Sequence, residues 1–332
     1  MEKQILVSGV RPTGEVHIGN YLGAVKQFVE LQEKYKALFF VADFHALTEP
    51  QDPKTFATNI KSIAALYIAC GLDPKKTILF VQSQIPEHLE LSWILGTISP
   101  VGELSRMTQY KDKTTEGKPA NLGLFSYPVA MAADILIYKA QKVPVGEDQY
   151  QHLEFARTIA RKFNSKFGET FPEPRAISAA KGAERLKSIA DPSKKMSKSG
   201  TPNDYIALLD SEIEIRRKIQ IAVTDSGKEI KYDSENKPAI SNLLTIFSLM
   251  SEKEVKTIEK EYKGKSYSEF KKDLADLLVE KLTPIQITYK KIMKDDKKLM
   301  KILEDGAKQA RAISQETIKE VKQKIGLLEQ QK

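Results

Sequence analysis

The chain of 332 residues carries 52 Lys and Arg against 44 Asp and Glu, a net charge of +8, with four His and one Cys. At 41% hydrophobic and 29% charged it can bury one large or two ordinary domains, which excludes general disorder. No apolar run reaches the roughly 18–20 residues of a membrane span, and the short run Ile5–Val7 is no export signal. Cys70 and four scattered His offer neither an internal disulfide nor zinc spacing, so the expectation is a cytoplasmic protein with no protein-bound metal.

In chain order, Ile5–Val7, Leu38–Ala42 and Thr77–Val81 are continuous apolar runs that predict strands buried on both faces. Between them the spacing of Phe56, Ile60, Ile63 and Tyr67 predicts a helix over 53–69, with Asp52 as cap, Pro53 in the first turn and Gly71 as its left-handed stop. Strands alternating with helices predict an α/β fold, a Rossmann-like doubly wound parallel sheet. Such sheets bind ligands beyond the carboxyl ends of their strands, which draws attention to the loops after Val7, Ala42 and Val145. From about 205 onward the strand signal fades. Residues 211–222, 251–262, 267–282, 284–304 and 312–325 read as helices, so the expected domains are 1–204 and an all-helical 205–332.

Two loops carry candidate chemistry. Ser8–Asn20 leaves a strand and enters a helix, with Gly9, Gly14 and Gly19 permitting close backbone approach and His17 and Asn20 near the helix start. Unpaired N–H groups and positive potential at a helix start suit a phosphate. The second loop, Asp191–Gly200, holds Lys194, Lys195 and Lys198 between prolines and glycine. Lys195 and Lys198 can close over a polyphosphate and neutralise charge on its leaving group. Taken singly, an ordinary strand–turn–helix and a solvated basic turn account for the two segments. Positive charge concentrates in this loop and in residues 251–332, which suits either a polyanion or simple solubility.

Together, the P-x-G-x-x-HIGN segment ending at Asn20 and the KMSKS segment 195–199 resemble the joint signature of the class I aminoacyl-tRNA synthetases. The amino acid such an enzyme activates turns on Phe125–Tyr138, a nearly uncharged helix with one carboxylate. Tyr127, Met131 and Asp134 share its face. A buried carboxylate needs a donor. An indole N–H supplies one, at about 1.5–3 kcal/mol for a charge-assisted bond. A lysine partner or a helix-capping role for Asp134 satisfies it equally well.

The segments GVRPTGEVHIGNYLGAV, MAADIL, VPVGEDQ, VTDS and DPSKKMSKS are similar, across essentially the whole chain, to those of the tryptophanyl-tRNA synthetases. The resemblance implies ATP as substrate, with Mg²⁺ carried by its phosphates, and L-tryptophan, tRNA(Trp) and a second copy of the chain as partners. It implies ATP contacts from Arg11, Pro12, Thr13, Gly19, Asn20, Gly146, Glu147, Asp148 and Leu186, and from Lys195, Met196, Ser197, Lys198 and Ser199 in the loop. Lys113, Lys195, Lys198, His17 and Asn20 are the implied catalytic residues. Asp134 would accept the indole N–H, Tyr127 and Gln149 would bind the α-ammonium, and Met131, Val143 and Val145 would wall the ring near His45. Residues 205–332 would bind the tRNA anticodon. The chain departs from the expected pattern at Arg11, where relatives often have Gln, and at Val7 and Phe44. Rival readings are a tyrosine-activating enzyme, a small-molecule nucleotidylyltransferase, and an RNA-binding paralogue without activity.

Overall fold

The computed structural model describes residues 3–115, 121–178, 186–197 and 200–328. Five strands, β1 (Ile5–Val10), β2 (Lys36–Val41), β3 (Thr77–Val81), β4 (Lys142–Val145) and β5 (Arg175–Ser178), form one sheet in the order β3-β2-β1-β4-β5. Every pairing is parallel, with Ile5 opposite Lys36, Ala37 opposite Thr77, Leu6 opposite Lys142 and Val143 opposite Ala176. Leu38, Phe39, Val41, Leu79 and Phe80 are buried, as strands covered by helices on both faces require. The predicted Rossmann-like sheet is therefore observed. Strand order reverses between β1 and β4, so the ligand-binding crevice of such a sheet falls beyond Val10 and Val145.

β1 is longer than its apolar run. Ser8 and Gly9 belong to the strand, and a Cβ at Gly9 would run into the Phe40 ring. Packing between neighbouring strands thus already requires a glycine at position 9, and the loop begins only at Arg11. The helix expected over 53–69 runs from Phe56 to Ala69, and Asp52 accepts the N–H of Lys54 in the turn before it. Gly71, at φ +113°, ends it in the conformation that favours glycine.

The chain divides into two compact units. The first comprises Met1–Thr13, Phe28–Ser178 and Ile292–Lys332, and contains the sheet. Its last helix, Asp296–Ile325, crosses the edge strand β3 so closely that a Cβ at Gly306 would collide with the Leu79 carbonyl. Ala310, Ile318 and Val321 of this helix join the core of the sheet. The division expected at 204/205 places this helix with the other C-terminal helices. The structure groups it with the sheet, because Gly306 lets the two backbones touch.

The second unit comprises Gly14–Gln27 and Ala179–Lys291. Val16 and Ile18 exchange backbone hydrogen bonds with Leu208 and Ile206, so the segment before the first helix is paired with residues just past the lysine loop. Its helical core is built on Phe247, Tyr262 and Phe270, whose ring centroids lie 5.0–5.8 Å apart. Phe247 belongs to helix Pro238–Ser251, which the sequence reading passes over although Pro238 marks its first turn. Helix Tyr267–Lys294 runs straight through Pro284, where a break is expected at 282–284. Proline removes one N–H, but Leu278, Leu282 and Ile285 stay buried on both sides of it and packing carries the helix on.

Candidate active site

In the first unit the site is built on helix Leu122–Leu136, whose start is capped by the Asn121 side chain accepting the N–H of Leu124 at 2.7 Å. Asp134, 2% exposed, points into the protein. Its carboxylate is not waiting for a donor. His88 Nδ1 lies 2.5 Å from Oδ1 and His45 Nε2 lies 2.6 Å from Oδ2, while the Gln82 amide donates to both oxygens at 2.9 Å. Among the described residues neither expected alternative, a lysine partner or a capping role, is found. The donors come from other segments: His45 from helix Asp43–Ala46 after β2, Gln82 from the turn after β3, His88 from helix Glu87–Gly96. Periodicity along the Asp134 helix carries no record of them.

Burial pulls the Asp134 carboxyl upward, but the His45 and His88 rings outweigh it and hold it well below the usual carboxylate range. Asp134 is therefore a fixed, ionised acceptor. Its three donors differ in access: the His45 side chain is 12% exposed, whereas that of His88 is 1% exposed and Gln82 is buried.

Two turns back along the helix, Tyr127 donates its hydroxyl to Gln109 Oε1 at 2.9 Å and meets His152 Nε2 at 2.6 Å. Burial pushes this hydroxyl up to about 12, and burial also lowers the His152 pKa. The Tyr127 ring stands edge-on to His45 at 6.2 Å. Met131 is half-buried and Val143 and Val145 of β4 are buried. Gln149 donates to Asp148 at 2.7 Å, and a Cβ at Gly146 would lie 2.8 Å from the Asp148 carboxylate. Arg11 is exposed and pairs with Glu49 at 3.8 Å, while Pro12 is buried and Thr13 half-buried. Sequence reasoning missed His88, Gln82, Gln109, Tyr138 and His152. Their scarcity is the one signal: three of the four His in the chain converge on this helix.

In the second unit, His17 caps the helix that starts at Ile18 and continues, through a π-helical turn at Tyr21–Val25, to Leu31. Its Nδ1 accepts the N–H of Asn20, and Asn20 Oδ1 accepts the N–H of His17. The Tyr205 ring lies 5.7 Å from that of His17 and in turn rests on the buried Lys218, which pairs with Asp210 at 2.7 Å. A Cβ at Gly19 would lie 2.9 Å from His17 Nδ1 and 3.5 Å from Met196 Sδ. The lysine loop is tied at its base: Met196 donates its N–H to the Leu186 carbonyl, Ser188 donates its N–H to that of Lys194, and Asp204 accepts from Ser188 and Thr201. Leu186 and Met196 are buried, Ser197 is half-buried and Lys195 is exposed.

Lys198 and Ser199 lie outside the described residues, as do the side chains of Lys113, on helix Thr108–Thr115, and Glu147. Among the described residues no group of three or more His, Cys, Asp or Glu is arranged to hold a metal ion, and no helix is long and apolar enough to cross a membrane.

A doubly wound parallel sheet, a His-capped helix start in a HIGN segment and a KMSKS loop together define a class I aminoacyl-tRNA synthetase. The sequence profile described as class I tRNA synthetases (W and Y) matches residues 1–283, and the chain belongs to that family. Within it, the chain is 52% identical to a tryptophan–tRNA ligase of Caldanaerobacter subterraneus, covering 97% of this chain and 98% of that one. It is 46% identical to the tryptophan–tRNA ligase of Bacillus subtilis, covering 98% of each. Among solved structures, tryptophanyl-tRNA synthetase from Mycoplasma pneumoniae superposes with a TM-score of 0.89 at 34% identity, over 99% of both chains. The Campylobacter jejuni enzyme, complexed with ADP and tryptophan, gives 0.84 at 38% identity, over 97% of this chain and 100% of that one.

Proposed function

We propose that this chain is a tryptophan–tRNA ligase, which joins L-tryptophan to ATP as tryptophanyl-adenylate, releases pyrophosphate, and passes the amino acid to the 3′ end of tRNA(Trp). The observation that carries the choice of amino acid is identity of 46–52% to tryptophan–tRNA ligases over nearly the whole chain. Asp134 gives that choice a physical basis. An ionised carboxylate only accepts, an indole N–H only donates, and the pairing is complementary. The incoming N–H takes the place of, or shares, the His45 contact, since His45 is the most accessible of the three donors. Met131, Val143 and Val145 wall the ring, and Tyr127 and Gln149 bind the α-ammonium.

The nucleophile of the first step is the tryptophan carboxylate, which is already ionised, so no general base is required. Catalysis is positioning and charge stabilisation. His17, Gly19 and Asn20, with Arg11, Pro12 and Thr13, hold ATP. Gly146, Glu147, Asp148, Leu186, Met196, Ser197 and Ser199 flank the nucleotide, and Lys113, Lys195 and Lys198 neutralise the phosphates. Mg²⁺ enters as the ATP complex. The lysine-rich helices after residue 205 supply the surface for the tRNA anticodon stem, reading phosphates and unpaired bases. Two copies associate through exposed apolar residues of helix Glu87–Gly96, and the enzyme works in the cytoplasm.

Phenylalanine brings no N–H, and sites of this kind reject such an analogue by about 10⁴–10⁵ without editing. Amino-acid-dependent ATP–pyrophosphate exchange, run with tryptophan, tyrosine and phenylalanine, tests the proposal. Exchange with tryptophan alone is expected. Exchange supported by tyrosine, or tRNA binding without any exchange, refutes it.

A further inference from the structure

The donors on Asp134 are unequal in how they are held. Gln82 reaches both carboxylate oxygens with one nitrogen, while its own Oε1 is buried without a hydrogen-bond partner among the described residues. His88 is engaged on both ring nitrogens, Nδ1 with Asp134 Oδ1 at 2.5 Å and Nε2 with the Tyr138 hydroxyl at 2.6 Å. Its ring is boxed edge-to-face by Phe40 at 5.9 Å, Phe80 at 6.2 Å and Tyr138 at 5.3 Å. Tyr138 is itself fully buried, and burial keeps its proton in place. The Asp134 carboxylate can only accept, so His88 Nδ1 donates to it, and the Tyr138 contact blocks the ring from turning. His45, in contrast, reaches Asp134 through one nitrogen from the accessible side.

We infer that His88, braced by Tyr138, is the positioning residue that fixes the Asp134 carboxylate as acceptor for the indole N–H and so sets selectivity for tryptophan. With Oδ1 committed to His88, Oδ2 is aimed at the side where His45 sits and where the substrate nitrogen arrives. Without His88 the carboxylate can rotate, and a buried acceptor that has lost a donor no longer presents one oxygen in one place. The inference rests on the proposed role of Asp134 as indole acceptor.

The test compares tryptophan with β-(3-benzothienyl)alanine, in which sulfur replaces the indole N–H at nearly the same shape. The readout is the ratio of their kcat/KM values in pyrophosphate exchange by the full-length enzyme. His88→Phe is expected to lower the preference for tryptophan by about 10- to 100-fold, the worth of a hydrogen bond to a charged group. The loss appears in the KM for tryptophan, with the KM for ATP and the turnover of the analogue unchanged. His88→Asn restores most of the preference, because its amide N–H can stand in for Nδ1. Tyr138→Phe, which deletes one oxygen, lowers the preference to an intermediate level. It carries the test if His88→Phe does not fold.

An unchanged ratio in His88→Phe or, where that variant does not fold, in Tyr138→Phe overturns the inference, as does an equal loss on both amino acids. Asp134→Asn separates the two layers. If it leaves the preference intact, the indole-acceptor reading fails and the inference with it. If it abolishes the preference while the His88 and Tyr138 variants do not, the positioning role alone is wrong.

Discussion

His17 Nδ1 accepts the backbone N–H of Asn20 at 3.3 Å, and Asn20 Oδ1 accepts the backbone N–H of His17 at 3.2 Å. This reciprocal cap sets the orientation of the imidazole as well as starting the helix. Asn20→Ala removes one half of it. Loss of a cap of this kind costs about 0.5–2 kcal/mol, equivalent to a melting shift of about 1–3 °C at the unfolding entropy usual for a chain of this length. The exchange rate should fall by more than that stability loss explains, because the proposed ATP contact of the Asn20 side chain goes with it, while the His17 ring keeps its own bond to the backbone N–H of residue 20. Scanning calorimetry beside pyrophosphate exchange checks both. A lowered melting temperature with full activity would reduce the pair to a structural cap.

Gly306 poses the opposite problem, since alanine in a helix ordinarily gains about 1 kcal/mol over glycine. Here the added methyl meets the Leu79 carbonyl, which is backbone of β3 and cannot step aside. Gly306→Ala should therefore destabilise, by about 1–3 kcal/mol as overpacked cores do. Urea unfolding decides the sign. A stabilised variant would mean that the last helix does not lie on the sheet as closely as described.

The parts of this fold that show in the sequence are those whose signal is local. β2 and β3 are unbroken apolar runs because both of their faces are covered, so they are found nearly to the residue. β1 is cut short because Ser8 and Gly9 look like loop, and only the Phe40 ring across the strand explains the glycine. Pro284 and Gly306 look like helix ends for the same reason: what sustains the helix at each is packing against residues distant in sequence. The site follows this rule. Tyr127, Met131 and Asp134 are legible as one helix face, whereas His88, Gln82 and His45 reach Asp134 from 46, 52 and 89 positions away. Local spacing identifies the carboxylate but not its partners.

The ionisation of Asp134 has a consequence in acid. A carboxyl whose folded pKa lies below its unfolded value of about 3.9 contributes stability that is complete above that value. As pH falls through the depressed folded value, that contribution is lost. Between pH 7 and 5 the carboxyl stays ionised and adds no pH dependence of its own to the stability difference between the wild type and Asp134→Asn. Below about pH 4 it should narrow, because only the wild type has a charge to lose there. Urea unfolding of both proteins across this range measures it. A difference that does not narrow below pH 4 would show that the carboxyl is not held below its ordinary value.

Trp93 is 79% exposed, and Leu89, one turn before it on helix Glu87–Gly96, is 47% exposed. Val101, shortly after that helix, is 68% exposed, and the proposed dimer would cover these apolar side chains. Placing a charge among them, by Trp93→Glu, should convert the proposed dimer to a monomer in sedimentation equilibrium without lowering the melting temperature of the monomer fold. A variant that sediments as the wild type does would move the dimer contact elsewhere. As Trp93 is the sole tryptophan of the chain, its emission also reports the association directly, shifting to the blue as the ring is covered.

The lysine loop bears on the rate of the first step. Its base is fixed by the Leu186–Met196 backbone bond and by Asp204, so the exposed Lys195, which the proposed mechanism places on the phosphates, is carried on an anchored stem. Charge neutralised only as pyrophosphate departs lowers the barrier without tightening ground-state binding. Lys195→Ala and Lys198→Ala should therefore each reduce the exchange kcat by about 10²–10³, as loss of one preorganised donor does elsewhere, and leave the KM for ATP nearly unchanged. Because both lysines act on the same developing charge, the double variant should lose less than the product of the two single effects. Single-turnover measurement of adenylate formation separates the chemical step from product release. A raised KM with an unaltered kcat would assign the lysines to binding ATP rather than to the transition state.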